Sequence, residues 1–150
     1  MRGSKTINII ELQKKFAAIQ SELKKALDLV ESKSFSSSFN VLANLTEYIV
    51  ENCEDLGLAL ENAPFDGFDA PKFWRTLNQC WIFALEQASS ANQNKNVLNI
   101  QNVLKLQQKI VAWSESLACY GLVDYEMGFW ETDIIDTLES IRKSLLQNAF

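Results

Sequence analysis

The chain has 150 residues, 47% of them hydrophobic and 22% charged, and carries a net charge of −5 at neutral pH with a pI near 4.8. That length suits one domain with a sizeable core, and the acidic balance speaks against nucleic acid as a partner, because phosphate is gripped by clustered Lys and Arg. With no histidine in the sequence, the Ser–His and Cys–His nucleophile pairs are excluded and the usual zinc sets are disfavoured.

Cys53, Cys80 and Cys119 form no CxxC pair and sit in apolar helical patterns, so three reduced, buried thiols are expected. No apolar run approaches the ~18 residues of a membrane span, and no signal peptide is expected, since Lys14 and Lys15 interrupt the first apolar stretch. The expectation is an intracellular protein, cytoplasmic or nuclear, without cofactor, metal, nucleic-acid or membrane partner. Lys14, Lys15, Lys24 and Lys25 are interleaved with Glu11, Glu22 and Asp28, the mixture of a solvated helix face. Residues 1–4, Met-Arg-Gly-Ser, read as the remnant of an expression leader, which leaves 5–150 as a single helical-bundle domain. Asn44-Leu45-Thr46 matches a glycosylation acceptor but lies in a helical pattern with no secretory signal before it, so it reads as coincidence.

Only five glycines and two prolines are present, which favours long helices over many short strands. Ile9, Leu12, Phe16, Ile19, Leu23, Ala26 and Val30 recur at alternating steps of three and four, an a/d seam that predicts the first helix. The serines of "FSSSF" end it, and Ser37 or Ser38 should cap a second helix bearing Phe39, Leu42, Leu45, Ile49 and Cys53. Its pattern continues through Leu56 and Leu60, weakened by Gly57, until "PFDGFDAP" breaks it. Pro71 suits the first turn of a third helix, with Asp69 or Ala70 near its cap and Trp74, Leu77, Trp81, Ala84 or Leu85, and Ala88 along its stripe.

A polar linker, "SSANQNKN", leads to a fourth helix from about Asn96 to Tyr120. Two apolar sets cover more than half of its circumference: Val97, Ile100, Leu104, Val111 and Ala118, and Val103, Leu106, Ile110, Trp113 and Leu117. It should therefore be the central helix. Gly121 fits the left-handed residue after it, with Leu122 returning to Leu117. The fifth helix carries Met127, Trp130, Ile134, Leu138, Ile141 and Leu145, with Asp124 or Thr132 as cap and Arg142 and Lys143 late, as the helix dipole favours. The sum is an all-α, single-domain bundle of about five antiparallel helices with short loops.

No catalytic constellation emerges. Glu126, Asp133 and Asp136 fall off the core stripe of their helix, Asp66 and Asp69 lack the twelve-residue calcium pattern, and no glycine-rich phosphate loop exists. Ser34, Ser36, Ser37 and Ser38 offer hydroxyls for phosphorylation, though a cap-and-loop role accounts for them. A pocket lined by Trp74, Trp81 and Trp113 would make a ligand site or an enzyme only if Glu86 or Glu115 pointed into it.

On a helix starting at Asp124, Tyr125 and Phe129 face outward beside Asp133 and Asp136. Exposed aromatics next to charge have the composition of a protein-recognition patch. The expected function is a non-enzymatic adaptor or scaffold domain binding a partner protein through Tyr125, Phe129, Asp133 and Asp136, with Phe65 and Phe68 as neighbours. The alternative is a structural domain that forms a homodimer through the heptad seam of the first helix.

Overall fold

The computed structural model describes residues 2–59, 64–90, 98–124 and 128–148, with side chains from Ile9 to Gln147. The described residues form five helices: α1 (Arg2–Glu31), α2 (Phe35–Glu51), α3 (Ala70–Ser90), α4 (Ile100–Ala118) and α5 (Glu131–Asn148). The all-α bundle inferred from apolar periodicity is the fold observed.

The seam of α1 is consumed inside the chain. Phe16, Ile19, Leu23, Ala26 and Val30 are buried, while Ile9 and Leu12 at the free end are only half-buried. α2 returns along α1, and the buried Ser38 hydroxyl donates to the Ala26 carbonyl at 2.9 Å, tying the two helices near their turn. Ser38 is thus a bridge between helices rather than a cap. α2 begins three residues earlier, at Phe35, with Ser34 in the cap position but making no side-chain cap bond.

Helix α3, not α4, holds the middle. It packs against α1 and α2 on one side and α5 on the other, and buries Phe73, Trp74, Leu77, Asn78, Cys80, Trp81, Ala84, Leu85 and Ala88. Its start follows the sequence: the Asp69 carboxylate accepts the Lys72 N–H at 3.0 Å and Pro71 occupies the first turn. The Trp81 indole N–H donates to the Thr46 hydroxyl at 3.0 Å, which donates to the Leu42 carbonyl at 2.7 Å, so a buried polar pair joins α3 to α2 without an unmet donor.

The expectation of a central α4 is corrected. Among the described residues α4 runs beside α2 and α5 and reaches α3 through the Trp113–Trp81 ring contact, centroids 6.0 Å apart; of its two apolar sets one is buried (Val103, Ile110, Trp113, Leu117) while Leu104 and Val111 of the other are exposed. Its start is Ile100, with the Asn99 side chain accepting the Asn102 N–H at 2.8 Å; Asn96 and Val97 lie outside the described residues. Buried Ser114 has a hydroxyl with no hydrogen-bond partner among the described residues.

Three chain reversals share one geometry. After α1, Ser34 N–H reaches the Leu29 carbonyl and Lys33 N–H the Val30 carbonyl; after α4, Leu122 N–H reaches Leu117 and Gly121 N–H reaches Ala118. Leu58 and Gly57 repeat the pattern on Cys53 and Glu54. Each is a Schellman closure around a left-handed residue, Lys33 at φ 62°, Gly57 at φ 74° and Gly121 at φ 72°. Gly57 therefore ends this segment, and α2 does not run on toward Leu60, which itself lies outside the described residues. A Cβ on Gly57 would also come within 3.2 Å of Pro64.

Candidate functional site

The stretch from Tyr120 to Ile135 is where the sequence expectation and the structure part most sharply. Helix α5 begins at Glu131, seven residues after Asp124, and the described residues before it, Val123, Asp124 and 128–130, are not helical. Val123 and Phe129 form an isolated parallel bridge, with Phe129 N–H on the Leu122 carbonyl at 2.9 Å and Asp124 N–H on the Phe129 carbonyl at 2.8 Å. Asp124 still caps α5, but through space: its carboxylate accepts both the Thr132 N–H at 2.8 Å and the Thr132 hydroxyl at 2.7 Å. Both cap candidates read from the sequence thus meet in one contact.

The outward placement of Phe129 is corrected by this geometry. Its side chain is fully buried and meets Trp113 edge-on with ring centroids 6.5 Å apart. The helical wheel failed there because Phe129 belongs to a bridge, whose backbone aims it by pleat rather than by helical angle. Tyr125, Glu126 and Met127 lie outside the described residues. Asp133 and Asp136 are exposed on α5, as expected.

Asn78 holds this segment from the opposite helix. Its buried side-chain amide donates to the Gly128 carbonyl at 2.9 Å and accepts the Trp130 N–H at 3.1 Å. Gly128 is pressed so closely on Leu122 that a Cβ would stand 2.7 Å from that residue's carbonyl carbon and oxygen. Only glycine fits there.

Phe65 and Phe68 stand elsewhere. They are half-buried in the loop before α3 and pack on Phe16 of α1, at centroid distances of 6.0 and 4.6 Å, with Phe73 of α3 at 5.3 Å from the same ring. These four rings floor an open groove of about 330 Å³ between α1, the loop and α3. Gln13, Gln20, Asp69, Lys72 and Thr76 also line it. Asp69 and Thr76 are engaged locally, Asp69 as the cap of α3 and Thr76 on the Lys72 carbonyl at 2.8 Å. The amides of Gln13 and Gln20 and the Lys72 ammonium have no partner among the described residues. That volume is at the small end of ligand sites, which run from roughly 300 to 1,000 Å³.

The structure therefore does not gather the expected patch into one surface. Phe65 and Phe68 share the groove beside α1, whereas Asp133 and Asp136 are on α5, which packs on the other side of α3 and makes no contact with α1 among the described residues. Sequence periodicity had no means of finding the groove. Gln13, Ala17 and Gln20 form an ordinary polar face of α1 until the loop rings fold over it.

Trp74, Trp81 and Trp113 are all core residues, and Glu86 and Glu115 are exposed, so neither carboxylate points among those rings. Cys53 and Cys80 are buried and free, and burial pushes both thiols up to about 11; the nearby Cys119 and Glu54 add to the effect at Cys53. Cys119 is free but exposed, correcting its expected burial. It precedes Tyr120, whose hydroxyl donates to Glu54 at 2.6 Å, a bond that pushes the phenol up to about 12. On α5, Glu139 accepts from Arg142 at 2.9 Å and from Gln107 of α4 at 2.7 Å; these bonds, the arginine's first, hold its carboxyl below the usual range.

Among the described residues no three Cys, Asp or Glu side chains group so as to hold a metal ion, and no helix is long and apolar enough to cross a membrane. Comparison with family models, with curated proteins and with solved structures finds no match for this chain.

Proposed function

We propose that this chain is a non-enzymatic interaction domain that binds a segment of another protein in the groove between α1 and the loop before α3. The observation that supports it is the combination of half-exposed Phe65 and Phe68 over a ring floor with uncommitted Gln13 and Gln20 amides at the rim. Rings supply the apolar contact that dominates interface energetics, and side-chain amides offer both a donor and an acceptor to a peptide backbone. The exposed carboxylates Asp133 and Asp136 form a separate acidic face that contributes charge rather than anchoring. The three free thiols suit a reducing compartment, the cytoplasm or the nucleus.

Self-association through α1 is the weaker reading, because the seam from Phe16 to Val30 is already covered within one chain. Light scattering at micromolar concentration should give a monomer, whereas a stable dimer would restore that reading.

Affinity capture from the source cell, read by mass spectrometry, tests the groove. Phe65→Ser/Phe68→Ser should lose the proteins captured by the parent chain while its helical circular dichroism is retained. Asp133→Lys/Asp136→Lys should keep them, at reduced yield. Capture that survives the paired serine change and fails with the paired lysine change would move the site to α5.

A further inference from the structure

We draw no further inference here: the strongest candidate, the outer face of the α4–α5 hairpin around exposed Leu104, Val111 and Leu146, carries none because nothing in the structure shows what covers it.

Discussion

Asn78 and Trp130 are joined across the bundle: the Asn78 carboxamide oxygen accepts the Trp130 N–H at 3.1 Å while its nitrogen donates to the neighbouring Gly128 carbonyl at 2.9 Å. One side chain of the central helix thereby satisfies two backbone groups of an irregular segment, which have no helix or sheet to pair with. The same contact sets where α5 begins. It fixes the chain just before Glu131 and holds Phe129 against Trp113.

Asn78→Leu should accordingly cost about 2–6 kcal/mol, because it strands two backbone groups at about 1–3 kcal/mol each. Urea denaturation followed by circular dichroism measures it. A loss under about 0.5 kcal/mol would mean that water replaces the amide and that the segment is not held as described.

The aromatic rings should separate into two groups on truncation. Phe129→Ala empties a fully buried site and should cost about 3–5 kcal/mol. Phe65→Ala and Phe68→Ala should cost less, about 1–2 kcal/mol each, since those rings keep part of their surface in water. Equal losses for all three would place Phe65 and Phe68 in the core and remove the basis of the proposed groove.

Lys33 offers a gain. It is a non-glycine residue at φ 62° in the position where Gly57 and Gly121 serve the other two closures. A side chain there costs about 1–2 kcal/mol, partly offset by the greater freedom glycine has in the unfolded chain. Lys33→Gly should therefore raise stability by about 0.5–1 kcal/mol, and Gly121→Ala should lower it by a similar amount. A destabilised Lys33→Gly variant would show that the lysine makes a contact that outweighs its backbone strain.

Alkaline pH should weaken the fold. Buried Cys53 and Cys80 are pushed from 9.0 up to about 11, and Tyr120 from 10.0 up to about 12 by its bond to Glu54. In each case the unfolded chain gives up its proton first, so the stabilisation is intact below about pH 9 and is lost as pH rises through the folded values. Urea midpoints at successive pH values should be flat from about pH 7 to 9 and fall above it. Cys80→Ala should make that fall shallower; an unchanged profile would show that the thiol does not titrate with unfolding.

Much of this architecture was legible residue by residue. The a/d seam of α1, the Asp69–Pro71 start of α3 and the Gly121 closure of α4 appear as read, because each depends on neighbours within about one helical turn. Errors arose where a distant partner decided. Ser38 looked like a cap until Ala26 offered it a carbonyl from another helix. Two apolar stripes on α4 implied a central helix, yet among the described residues only the one carrying Val103, Ile110, Trp113 and Leu117 is covered, Leu104 and Val111 of the other are exposed, and α3 takes the middle.

Periodicity, glycine and capping chemistry act locally, so they were enough for a helical bundle, for its five helices in order and for the stripe of α1 that turns inward, but not for the start of α5 or the end of α2. The burial of Phe129 and the groove bordered by Phe65 and Phe68 came from long-range packing. The first depends on a bridge clamped by Asn78 from fifty residues away, the second on a loop folding over a face of α1 that carries no mark of its own.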